Sequence, residues 1–232
     1  MPQTREARGA RRPDALSKDV VVAAAIDLLD EHGERGLTFK LLTERLCTGA
    51  GAVYWHVANK DELVSLAADH VIGDALATGS GPGDDPQVRL RSLALAVYDA
   101  FDRHPWAAPR IGTLPMGVNT LRLLDRIGTL LTETALPAER HFAVATLIFK
   151  FLTGVAAQDD ARAASLDPAV SRNAHLAGEA DRWAALDPAA FPFLTRAAAD
   201  LRDHDDRDQF ITGFDLLLDG LRLQHRRTGA TP

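Results

Sequence analysis

The sequence predicts an all-α chain built in two parts, a small N-terminal helical domain and a larger helical body. Three observations predict it. Apolar residues recur at helical spacing in segment after segment, and nothing alternates with period two over four or more residues. The charge is unevenly shared: residues 1–60 carry a net +1 and the remaining 172 a net −7, within an overall −6. Finally, Tyr54, Trp55 and His56 stand in a row just before a helix start, in a chain with only three Trp and two Tyr. A packed core would space such residues by helical period, so adjacency points to something outside the chain.

The first helix lies in "LSKDVVVAAAIDLLDEHGERGLT". Ser17 is its N-cap and Asp19 sits in its first turn. Val22, Ala25, Ile26 and Leu29 share a face, and Gly33 ends it. Thr38 caps a short second helix through Leu46. "CTG" (47–49) is a tight connection, and a third short helix holds Ala50 to His56. Asn59 caps the fourth, with Asp61 and Glu62 at the positive end of its dipole. "TGSGPGDDP" (78–86) is a loop. Helical period resumes over Pro86–Arg103. A proline-broken segment (104–117) follows, then helices over 118–134 and 137–160, an irregular Ala/Asp/Pro-rich stretch, a helix near 190–202, and a last one from Asp206 to about Arg226.

Composition limits the function. The single cysteine, Cys47, excludes an internal disulfide and fits a reducing cytoplasm. The basic N-terminus has no apolar run behind it and does not read as a secretory signal. The longest apolar stretch, "HFAVATLIFKFLTGVAA" (141–157), contains Lys150 and reads as a buried helix, so no membrane partner is expected. The eight His residues show no metal-ligand spacing, "DHDDRDQF" (203–210) lacks the glycine and closing Glu of a calcium loop and reads as a solvated helix start, and no Gly-x-Ser-x-Gly elbow exists. The expectation is no catalytic residue, metal or cofactor.

Two short helices joined by a tight turn have the layout of a helix-turn-helix, whose second helix enters the major groove of double-stranded DNA. That layout accounts for the aromatic row. Val53 and Val57 can supply the inward edge. Tyr54 and His56 can then donate to phosphates, Trp55 offers a flat face to sugars or base edges, and Lys60 adds a charge among helix-start amides.

Residues 17–72 resemble the DNA-binding domain of the TetR family of bacterial repressors. The matching residues are "EHGERGLT", "LLTERL" and above all "YWHVANKDEL". More loosely, "GTLP" (112–115) and "FITGFDLLLDGL" (210–221) resemble segments of the tetracycline repressor subgroup. The resemblance implies a basic arm (1–16), a helix-turn-helix domain (17–72) and a ligand-binding and dimerisation body (73–232). It implies DNA contacts from Lys40, base-facing positions at Ala50, Gly51 and Ala52, and backbone or groove-edge positions at Tyr54, Trp55, His56 and Lys60. Ala and Gly cannot hydrogen-bond base edges, so specificity would lean on thymine methyls, DNA shape, Lys40, Thr48 and the arginine arm. Cys47 stands where the family usually has Gly, and reads as a small buried residue.

The implied body dimerises through its last helix, whose candidates are Phe210, Gly213, Phe214, Leu217, Gly220 and Leu221, together with helix 137–160. It encloses an inducer, with Phe101, Trp106, Arg110, Met116, Asn119, Phe149 and Gln158 as candidate lining. Arg110 falls where the tetracycline repressor has its magnesium-binding histidine. A magnesium–tetracycline complex is therefore not expected, and an anionic ligand group is. The function implied is a dimeric, cytoplasmic, ligand-responsive repressor of a palindromic operator. Two alternatives stay open: a small-molecule-binding or enzymatic helical protein with a reader-like N-terminus, and a DNA-binding regulator without a ligand.

Overall fold

Ser17 starts the first helix of the computed structural model as its sequence suggests, its hydroxyl accepting from the Val20 amide at 3.2 Å. The structure describes residues 16–78, 85–111, 115–165, 167 and 169–228. The basic arm, the loop at 79–84 and most of "GTLP" lie outside the described residues. Every regular element among the described residues is helical: α1 (Lys18–Gly36), α2 (Phe39–Arg45), α3 (Ala50–Tyr54), α4 (Lys60–Ala77), α5 (Pro86–Arg103), a 3-10 turn (Pro105–Arg110), α6 (Val118–Thr132), α7 (Ala138–Ser165), α8 (Arg172–Ala184), α9 (Pro192–Arg202) and α10 (Asp206–Thr228). The chain divides into two units, residues 1–67 and 68–232. The division falls inside α4.

In the first unit, α1 breaks helical geometry at Gly33, where φ is +64° and ψ 177°. Only glycine reaches that region without strain. The Leu37 amide then bonds back to the Gly33 carbonyl at 3.2 Å. Val21, Ala25, Leu28 and Leu29 of α1 are buried, as are Leu42 of α2, Val53 and Val57 around α3, and Leu63 and Val64 of α4. Arg45 binds Glu31 at 2.6 Å and so ties α2 to α1.

The turn between α2 and α3 corrects one expectation. Cys47 is exposed, not buried, and its φ of +48° places it in the left-handed region. A β-carbon there is strained by about 1–2 kcal/mol, while glycine adds about 0.5–1 kcal/mol of unfolded-state entropy. Cys47→Gly is therefore expected to stabilise the chain by about 0.5–1 kcal/mol, read as a raised urea midpoint at unchanged slope. A lowered midpoint would contradict the strain assigned to this turn.

The second unit is built around α5, whose Leu90, Leu93, Val97, Tyr98 and Phe101 are buried. They meet Leu123, Ile127 and Leu130 of α6, Ile148 and Leu152 of α7, and Phe210, Phe214 and Leu218 of α10 in its core. By length and composition alone α7 could cross a membrane. It packs instead on α5, α6 and the 3-10 turn. Its sequence reads as a buried helix, yet only one side is buried. Phe142 and Leu147 are exposed on it. The Ala/Asp/Pro-rich stretch that reads as irregular contains α8, which pairs with α9 as a helical hairpin.

Candidate nucleic-acid interface and ligand cavities

Val53 and Val57 are both fully buried, which fixes the inner edge of α3 and turns its neighbours outward. Tyr54 is 54% exposed and Trp55 86% exposed. So large an apolar surface is unusual for Trp, which is highly buried on average. The Tyr54 ring stacks on Phe39 of α2, with centroids 4.7 Å apart and planes within 8°, which aims its hydroxyl without burying it. Ala50 and Gly51 are exposed, while Thr48, Ala52, His56 and Lys60 are half-buried. A β-carbon on Gly51 would meet no atom within 4 Å, so this edge of α3 is open.

Lys40 projects from α2 with 85% of its side chain exposed; its Glu44 partner is 4.0 Å away. Exposed pairs of this kind are worth a few tenths of a kcal/mol at most, so an anion can recruit Lys40 cheaply. On the far side of α3, Asn59 Oδ1 accepts from the Glu62 amide at 2.8 Å, and Glu62 Oε2 accepts from the Ala58 amide at 2.7 Å. This reciprocal cap fixes the start of α4 and, with it, Lys60. The structure thus places the nine proposed DNA-contact positions along α2, the turn, α3 and the start of α4.

The body holds a polar joint that sequence reasoning missed. Gly117 caps α6 but has no side chain to cap with. Asp69 of α4, 8% exposed, does so instead. Its carboxylate accepts from the Asn119 amide at 3.1 Å and from the Thr120 amide and hydroxyl at 2.8 Å each. The Asn119 side-chain amide donates to the Asp69 carbonyl at 3.1 Å, and its oxygen accepts from Arg122 at 2.9 Å. Close approach requires glycine at 117, since a β-carbon there would come within 2.2 Å of the Asp69 carboxyl. The detectable signal was a carboxylate on α4 between Ala68 and Val71, on a face that is otherwise apolar.

Two cavities that share part of their walls open in the same unit, apart from a more open groove of about 500 Å³ between α6 and α7. The larger, of about 930 Å³, lies among α7, α8, α9 and the start of α10, with Trp183, Phe193 and Leu176 on its apolar side. The smaller, of about 230 Å³, lies between α5, the 3-10 turn and α7. Both have Asp159, Arg172 and Asp206 in their walls. Burial opposes ionisation of Asp206, but Arg172, Arg162 and His204 together hold its carboxyl below the usual range. "DHDDRDQF" is therefore more than a solvated helix start: Asp206 joins α7, α8 and α10 through Arg162 at 3.1 Å, Arg172 at 2.7 Å and His204 at 2.8 Å.

Most of the expected ligand lining is placed elsewhere. None of the seven residues lines the larger cavity, and only Phe101 lines the smaller. Phe149 is core, Gln158 is exposed, and Trp106, Arg110 and Met116 are half-buried outside both walls. Both ends of the Asn119 amide are engaged by Asp69 and Arg122.

The expected dimer residues fall on both sides of α10. Phe210, Phe214 and Leu221 are buried within the subunit, because Tyr98 of α5 and Phe151 of α7 pack on this face of α10. Gly213 permits the close approach of Phe151, whose ring lies 3.1 Å from a β-carbon built there. Leu217 is half-buried and Gly220 exposed. The outward apolar residue is Leu216, 67% exposed and one turn before Gly220.

A helix-turn-helix with an open α3 edge, joined to a helical body with cavities, is the plan of a one-component transcriptional regulator. Comparison with known proteins agrees. Residues 21–67 match the bacterial regulatory proteins of the tetR family, and residues 79–225 match the tetracyclin repressor-like C-terminal domain. The chain belongs to the TetR family. It is 38% identical over 121 residues to an HTH-type transcriptional regulator of Saccharopolyspora erythraea, a match covering 50% of each, so it spans about half of that relative's length. The regulator SCO7222, a TetR from Streptomyces coelicolor, aligns with a TM-score of 0.78 and 36% identity over 91% of this chain and 100% of that one. ActR of Streptomyces coelicolor, solved in complex with actinorhodin, aligns at 0.73 with 25% identity, over 91% and 99% respectively.

Proposed function

We propose that this chain is a ligand-responsive repressor: a homodimer that binds a palindromic operator through α3 and is released by a small molecule. The carrying observation is the solvent-facing Tyr54–Trp55 pair on a helix whose opposite edge, Val53 and Val57, is buried. Such a helix presents its outward residues to a groove, with Lys40 and Lys60 on flanking elements to meet phosphates. The dimer contact uses the outward side of α10, with Leu216 and Gly220, and exposed Leu147 of α7. The cavities supply the ligand site, and the larger, of about 930 Å³, is of the size that drug-sized molecules occupy. The site of action is the cytoplasm, where operator DNA lies.

An enzyme needs a nucleophile or base aimed at open space. The Ser165 hydroxyl, in the wall of the larger cavity, donates instead to the Arg162 carbonyl at 2.7 Å, and His204 Nε2 is engaged in the Asp206 cluster. The metal-free expectation carries over to the proposal: tetracycline with magnesium should not release the operator.

Positioning and reading contacts separate by mutation. Lys60→Ala is expected to weaken specific and non-specific duplex binding by similar factors. It should lower the slope of log affinity against log salt by about 0.9 for each phosphate that is no longer neutralised. A long polar residue at Ala52 should instead change base preference or abolish binding by collision. Affinities for operator and scrambled duplex at several salt concentrations check both. A Lys60→Ala protein with an unchanged slope and a new base preference would contradict the groove placement.

A further inference from the structure

The charges around the two cavities are not all balanced. Asp206 is saturated by two arginines and His204. Arg172, the one cation among the described residues lining the smaller cavity, is engaged by Asp206 and by the His204 carbonyl at 3.1 Å. Asp159 is different. Its Oδ1 accepts from Arg162 at 2.5 Å, but its Oδ2 is buried and has no hydrogen-bond partner among the described residues. Asp160 lines the same space, half-buried, and burial alone pushes its carboxyl up, with no offsetting cation among the described residues. Burial and the Asp206 charge push Asp159 up as well, outweighing Arg162.

Tyr98 and Phe101, both buried, line the same cavity, and Tyr98 stacks one face on Phe210. Burial, with Asp159 and Asp102, pushes the Tyr98 phenol up to about 12, so the ring stays neutral. A buried carboxylate oxygen without a donor is costly, and a donor that carries positive charge satisfies it best. Aromatic faces beside carboxylates add a second attraction for a cation.

We propose that the ligand of this body is an organic amine, its ammonium seated in the smaller cavity between Asp159, Asp160 and the rings of Tyr98 and Phe101, with an apolar body against Trp183 and Phe193 in the larger one. This rests on the ligand-responsive reading above, and reverses the ligand charge suggested by Arg110, which lines neither cavity.

Three probes of one shape test it by calorimetry at pH 7 with the full chain: 9-(aminomethyl)anthracene, 9-anthracenemethanol and 9-anthracenecarboxylate. The amine is expected to bind at least tenfold more tightly than the alcohol, and the carboxylate most weakly. Asp160→Asn is isosteric and should abolish the amine's advantage while leaving the alcohol's affinity unchanged, and Asp159→Asn should reduce it. An alcohol or carboxylate that binds as tightly as the amine overturns the proposal. So does an amine preference that survives both substitutions, since ordinary water would then satisfy Asp159. Failure of all three probes to bind also overturns it. Operator binding by the same samples keeps the two readings apart: an intact operator complex without amine preference removes the cation and leaves the DNA reading standing.

Discussion

Phe210→Ala is expected to lower the stability of the chain by about 3–5 kcal/mol, the range for truncating a buried Phe. The residue is 1% exposed. Its ring lies 4.3 Å from Tyr98 in a stack at 25°, 5.5 Å from Phe151 and 6.1 Å from Phe214. Removing it takes the shared neighbour away from three rings contributed by α5, α7 and α10, and leaves a hole that fixed helices close only in part. Urea unfolding should show a lower midpoint at unchanged slope, with the same loss at every chain concentration. Leu216→Glu provides the contrast. It is 67% exposed on the outer side of the same helix, so it should leave the subunit core intact and weaken self-association. If Phe210→Ala affected only the concentration dependence, the assigned face of α10 would be wrong.

Asp69→Ala should cost about 2–4 kcal/mol. The α6 N-terminus then loses its one side-chain cap among the described residues, since Gly117 supplies none, and the Asn119 and Thr120 amides lose their acceptor. Thr120 is almost wholly buried, so its amide and hydroxyl cannot turn to water instead. Hydrogen bonds to an ionised acceptor are the stronger kind, and leaving buried donors unmade is worse than never having placed them. Asp69→Asn keeps the shape and one acceptor oxygen, and should lose less than Ala does. Amide exchange at Asn119 and Thr120 should accelerate in the Ala protein. Unchanged protection at both amides would show that water replaces the carboxylate without cost.

Much of this was legible in the sequence because it is local. Ser17, Thr38 and Asn59 cap their helices with bonds three residues long. Gly33 terminates helical geometry because its φ demands glycine. The reading of Val53 and Val57 as the inner edge of α3 depends on an i, i+4 spacing, and both are buried. What was not legible depends on contacts distant in sequence. The apolar stripe of α10 was visible, but periodicity alone cannot say whether it faces its own chain or a partner. Phe151 and Tyr98 decide that. Helix α8 was hidden by Ala-, Asp- and Pro-rich flanks, although Leu176, Ala180 and Trp183 keep helical spacing. The charged wall of the cavities gathers Asp159, Arg172 and Asp206 from three helices, and no spacing rule links them.

Selection from a pool of random double-stranded DNA, followed by equilibrium binding to the recovered sequences, tests the central claim most directly. Two copies of the α2–α3 face related by two-fold symmetry should recover a palindrome, with half-sites about one helical turn or slightly more apart. Affinity for it should fall steeply with salt, and a duplex holding one half-site should bind far more weakly. Recovery of non-palindromic sites alone, or equal affinity for one half-site and two, would contradict a dimer that reads DNA through α3.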